Sequence, residues 1–147
     1  MDHLEELIQQ VSEFNRFYTI MQGFFDPKFL GTDYSVVEIR ILYEVFSNPG
    51  CTAKDLTQIL RLDKGYISHR IKNFEKAGFL ERVSGENDKR YQTLHLTKQG
   101  KELVSQQTLD NNNRLAAMLG DLSPEECTQL SEAMDTMTQI LNKERNI

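Results

Sequence analysis

The sequence predicts a mainly α chain with a small β-hairpin wing, a winged helix-turn-helix with further helices at both ends. Three observations predict it. Cys51 to Leu96 reads in order as a short amphipathic helix, a tight turn, a second helix and a hairpin with a charged tip. Two short helices joined that closely make a helix-turn-helix, and a two-stranded ribbon after them makes a wing. Outside that stretch, apolar residues spaced three and four apart mark amphipathic helices near both termini.

The elements follow in chain order. Leu4, Leu7, Ile8, Val11, Phe14, Tyr18 and Met21 give a first helix over residues 1–22, broken by Gly23, Asp26-Pro27 and Gly31. Thr32 or Asp33 caps a second helix to Phe46, whose Val36, Val37, Ile39, Ile41, Leu42 and Val45 point to burial on more than one side. Ser47-Asn48-Pro49-Gly50 is a turn. Thr52 is the N-cap of the third helix with Asp55 as its capping-box partner, and Leu56, Ile59 and Leu60 form its apolar side. Arg61-Leu62 turns the chain to Asp63, the N-cap of a helix over residues 63–76. Gly78 suits the left-handed position that ends it. Phe79–Val83 and Tyr91–Leu96 read as strands around a polar turn, residues 84–90. Thr97 caps a long helix to Leu119 with a polar middle, and Ser123-Pro124 starts a last one. Cys127, Leu130, Met134, Met137 and Leu141 form a seam on it.

On the wheel of helix 63–76, Ile67, Ile71 and Phe74 share one sector and face the core. The opposite side carries Gly65, His69, Lys72 and Lys76, flanked by Tyr66, Ser68 and Asn73, with Lys64 in the first turn. This face has hydrogen-bonding and cationic groups and no acid at its centre. A Gly there permits close backbone approach. Such a face suits a DNA major groove. The competing reading is an ordinary solvated face.

Charge distribution supports the first reading. The net charge of −5 is unlike a partner for a polyanion. Yet Cys51–Lys101 holds 11 Lys and Arg against 6 Asp and Glu, a net of +5, leaving −10 for the remainder. Positive charge lies where the reader is expected, and the acidic remainder orients the approach. At the tip, Asp88 and Arg90 fall on one side of an extended segment, so Arg90 is placed for a narrow minor groove, Asp88 holds it and Lys89 meets phosphate. A plain surface ion pair, worth about 0–1 kcal/mol, is the alternative.

Ser68, the run Phe74-Glu75-Lys76-Ala77-Gly78, Asp88-Lys89-Arg90 and Leu96-Thr97 with Gly100 closely resemble the MarR family of bacterial transcriptional regulators. The resemblance covers about the middle third of the chain at motif level. It implies a DNA-binding repressor and a single domain over 1–147. Residues 1–31 and 98–147 would be its dimerisation region and residues 32–97 its winged-helix reader. It implies a homodimer on a palindromic operator, and a small-molecule effector bound between the dimer helices and the reader. Phe14, Tyr18, Phe24 and Phe25 are the aromatic candidates for that pocket, with core packing as the competing role. His69 stands where the family commonly has Arg, which alters base preference. Arg61 stands where Gly is common, so it either adopts a left-handed conformation, at about 1 kcal/mol, or uses another turn.

Other classes find less support. Cys51 and Cys127 lack metal spacing and fit a reducing compartment. The first residues lack a signal peptide's basic region, so a cytoplasmic location is expected. Cys51 adjoins a helix N-terminus, which can lower a thiol pKa and opens the option of redox sensing, but a small semi-buried residue is the expected role. No phosphate loop, nucleophile–base pair, metal or cofactor motif appears, so no enzyme is expected. The alternative function is a winged helix used for protein–protein interaction without specific DNA binding.

Overall fold

The computed structural model describes residues 2–25, 27–28 and 31–143. Its elements are α1 (His3–Met21), α2 (Val36–Ser47), α3 (Ala53–Leu60), α4 (Lys64–Ala77), β1 (Leu80–Ser84), β2 (Gln92–Leu96), α5 (Lys98–Leu119) and α6 (Pro124–Lys143). Chain packing gives two compact units, Met1–Asp110 and Asn111–Ile147. The expected break at Asp26 lies outside the described residues.

The core of the first unit is the winged helix. Ile41, Leu42 and Val45 of α2, Leu56 of α3, Ile67, Ile71 and Phe74 of α4, Leu80 and Leu94 of the hairpin and Val104 of α5 pack in one buried cluster. Burying each such side chain stabilises by about 1.5–3 kcal/mol. Tyr34, not singled out in the sequence, sets its ring against Phe74 and Phe79, with centroids at 5.3 and 5.9 Å.

Caps define the helix starts. Thr52 and Asp55 form the expected capping box on α3, and the Asp63 carboxylate accepts from the Gly65 and Tyr66 amides. On α2 the cap is Ser35, not Thr32 or Asp33, because Ser35 and Glu38 satisfy each other reciprocally while the Thr32 hydroxyl bonds Tyr34 in a preceding turn. Ser123 and Glu126 do the same for α6.

Two other expectations change. Ile59 is 48% exposed, since α3 is too short for two apolar rows and Leu56 takes the inward one. Gln107, in the polar middle of α5, is buried. Arg61 does take the left-handed conformation, φ 53° and ψ 41°, between α3 and α4.

The hairpin pairs Leu80 with Leu96 and Ser84 with Gln92 in antiparallel register. Its base is sealed at one point. The Thr97 hydroxyl donates to Gly78 O at 2.6 Å, Thr97 N–H donates to Phe79 O at 3.1 Å, and Gly100 N–H donates to the Thr97 hydroxyl at 3.1 Å. Here α5 passes so close that a Cβ on Gly100 would sit 2.0 Å from Phe79 O.

Gly100→Ala is therefore expected to destabilise the fold by about 3 kcal/mol, at the upper end of overpacking costs, as a lower midpoint in urea unfolding. A midpoint equal to that of the parent chain would disprove the close approach. Arg61→Gly is expected to raise the same midpoint, because it relieves roughly 1 kcal/mol of left-handed strain.

Candidate nucleic-acid interface

The exposed face of α4 is assembled by its buried one. With Ile67, Ile71 and Phe74 turned inward, Lys64, Gly65, His69, Lys72, Asn73 and Lys76 are exposed and Ser68 is half-buried at the edge. Asn73 Nδ2 lies 3.5 Å from His69 Nδ1, a marginal contact that places the two polar groups side by side. Tyr66 is placed differently from its neighbours. It packs partly against the core, and its ring lies under the Arg70 guanidinium at 4.7 Å. Gly65 is tight on its own account, since a Cβ there would meet the Asp63 carboxylate at 3.0 Å.

Two pairings join residues of different elements. Arg70 Nε lies 4.0 Å from Glu38 of α2. Arg82 Nε bonds Glu75 at 2.8 Å, and its Nη1 bonds Gln92 at 3.2 Å. Glu75 is the one acid within α4, and Arg82 pairs with it. The i, i+7 separation of Glu75 and Arg82 spans a helix end and a strand, so no helical spacing reveals the pair.

The wing tip is the turn expected over residues 84–90, and Asp88 and Arg90 lie within it rather than in an extended segment. Tyr91 N–H donates to Asp88 O at 3.1 Å, and Gly85 N–H donates to Tyr91 O at 2.7 Å. Asp88 holds the Arg90 amide at 2.9 Å, and the Arg90 guanidinium lies 3.7 Å from the same oxygen. The turn fixes the backbone while the Arg90 side chain remains 96% exposed. Lys89 is exposed beside it. A cleft of about 320 Å³ separates the start of α3, at Thr52, Ala53 and Lys54, from Arg82, Arg90 and Tyr91 of the wing.

Phe14, Tyr18, Phe24 and Phe25 are all exposed, so the competing role of core packing is not met in this chain. Phe14 stacks on Tyr18 at 5.4 Å and Phe24 meets Phe25 edge-on at 5.3 Å. None of the four lines the cleft. Among the described residues no cluster of His, Cys, Asp or Glu is arranged to hold a metal, and no helix is long and apolar enough to cross a membrane.

Cys51 is buried, whereas Cys127 is exposed. Burial, and then the Asp55 carboxylate, push the Cys51 thiol above its ordinary range. This agrees with the expected small buried residue rather than a redox sensor, because desolvation of a thiolate outweighs a helix end already satisfied by its own capping box.

A helix-turn-helix with a two-stranded wing, presenting a cationic helix face and a projecting tip arginine, defines a winged helix-turn-helix protein. Residues 35–91, the winged-helix core, match the MarR family model. The HTH-type transcriptional regulator BilQ of Clostridium symbiosum is 33% identical over 69 residues, 45% of this chain and 48% of that protein. The match thus spans about half the length of that relative. YybA of Bacillus subtilis, an uncharacterized HTH-type transcriptional regulator, is 20% identical over 117 residues, 80% of this chain and 78% of that one. Streptococcus pneumoniae FabT, solved in complex with DNA, has a TM-score of 0.75 at 19% identity, covering 95% of this chain and 98% of its own. A mutant MarR from E. coli complexed with operator DNA gives 0.72 at 18%, covering 93% and 99%.

Alkylation of the folded chain at pH 8 is expected to label Cys127 and spare Cys51 until denaturant is added. Mass spectrometry of the labelled peptides checks this. Equal labelling rates would contradict both the burial and the raised thiol pKa, since only the thiolate reacts.

Proposed function

We propose that this chain is a sequence-specific DNA-binding transcriptional regulator, acting as a homodimeric repressor on a palindromic operator. α4 enters the major groove and the wing tip enters the flanking minor groove. The observation that carries this reading is the pairing of two cationic readers on one fold. They are the face of His69, Lys72, Asn73 and Lys76, and an Arg90 guanidinium exposed on a backbone turn that Asp88 fixes. In this reading His69 and Ser68 address base edges, while Lys64, Lys72, Lys76 and Lys89 neutralise phosphates. Gly65 lets the DNA backbone approach the first turn, and Asn73 supports the His69 ring. Tyr66 contributes by fixing Arg70.

The dimer rests on surface physics. α1 buries none of its residues and exposes Leu4, Leu7, Ile8, Val11, Phe14 and Phe17. α6 likewise exposes Leu130, Met134, Met137 and Leu141. Stripes of this length are interaction surfaces, and a second copy covers both in this proposal. Two copies then present two α4 helices to successive major grooves, about 34–36 Å apart. An effector seated by the Phe14–Tyr18 and Phe24–Phe25 ring pairs would release DNA by changing that spacing.

Selection of duplexes from a random pool is expected to enrich a palindrome. Affinity for it should fall steeply with salt, and Lys72→Ala should reduce the salt slope by about one unit. Arg90→Ala should weaken binding by about tenfold. No enrichment, with no duplex binding at low salt, would sink this reading and favour a protein-interaction module using the same apolar stripes.

A further inference from the structure

We infer that Arg82 is a positioning residue that braces the wing against the recognition helix, so that the two groove contacts are made as one rigid unit. This rests on the DNA reading above. Arg82 follows Leu80 by two residues on β1 and therefore shares the inward side of the hairpin, where Leu80 is buried and Arg82 half-buried. From there its guanidinium takes two bonds on different elements, to Glu75 on α4 at 2.8 Å and to Gln92 on β2 at 3.2 Å. One side chain thus joins helix, outgoing strand and returning strand.

The hairpin has little else to hold its outer half. An isolated two-stranded ribbon is marginal in water. Its base is anchored, since Leu94 N–H donates to Cys51 O at 2.7 Å and Gly50 N–H donates to Leu94 O at 3.2 Å. Farther out, Val83 and Tyr91 are exposed and add no buried apolar contact. The planar guanidinium suits the task, because it satisfies two acceptors in fixed directions where a lysine offers one point charge. Both charges are about a quarter to a third exposed, at 27% for Arg82 and 34% for Glu75. Screening is therefore incomplete where Arg82 meets α4. The consequence is preorganisation. Arg90 sits at the end of the strand pair that Arg82 ties down, and the cost of aligning it with α4 is met before DNA arrives.

The test is a double-mutant cycle on the selected duplex, with hydrogen exchange on the free full-length chain beside it. Arg82→Met keeps the aliphatic stem and removes the bonds, and Glu75→Gln is the second variant should Arg82→Met fail to fold. In the parent chain Arg90→Ala should cost about tenfold in affinity, and in the Arg82→Met background only about twofold. Exchange of the wing amides, residues 82–84 and 92–93, should quicken by roughly tenfold while those of Ile67 and Ile71 in α4 keep their parent rates. An equal Arg90→Ala cost in both backgrounds overturns the brace. So does unchanged wing exchange, or a general quickening that includes α4. Absence of duplex binding by the parent chain sinks the DNA reading instead, and the exchange arm still decides whether the brace exists.

Discussion

The winged helix depends on the joint at Thr97. Four elements meet there: the end of α4, the start of β1, the end of β2 and the start of α5. A helix that ends in a left-handed glycine leaves carbonyls needing partners, and buried orphans are expensive. Thr97 meets both demands, with its hydroxyl on Gly78 O and its amide on Phe79 O, while its oxygen also caps α5 through the Gly100 amide. The cost is paid in shape. The α5 backbone approaches the Phe79 carbonyl so closely that no side chain fits at Gly100. Moving this joint would shift the reading helix, the wing and the long helix together.

The electrostatics follow from that geometry. The segment from Cys51 to Lys101 is net basic, but α4 itself carries Glu75 and faces Glu38 of α2. Arg82 and Arg70 answer those two acids from partly buried positions, and each ties a neighbouring element to α4 as it does so. Those acids are paired internally, and the exposed cations of α4, Lys64, Lys72 and Lys76, dominate the field at its outer face. Internal ion pairs thus work here through placement and charge cancellation more than through stability, where an isolated exposed pair contributes little.

Arg61 and Cys51 show two ways in which context overrides a local rule. A left-handed arginine is unfavourable, yet the turn between α3 and α4 is set by packing at both ends, with Leu56 and Ile67 fully buried. A thiol at a helix start is expected to ionise easily, yet here burial dominates and the α3 amides are occupied by Thr52 and Asp55. Both cases favour the larger, longer-range term over the nearby one.

The sequence alone determined the elements and the exposed face of α4. Caps such as Thr52, Asp63 and Ser123, the left-handed Gly78 and the three-and-four spacing of Ile67, Ile71 and Phe74 are local rules written in neighbouring residues. They also determine that His69, Lys72 and Lys76 face out. Ser35 is legible by the same rule, as Ser-x-x-Glu with Glu38. Tertiary structure alone decided what depends on residues distant in sequence. It brought Arg82 to Glu75 and Gln92, laid Tyr34 on Phe74, raised the Cys51 thiol, and left Ile59 and the four candidate aromatics exposed. Each is a matter of which surfaces meet, and periodicity along one helix or strand carries no information about the partner on another.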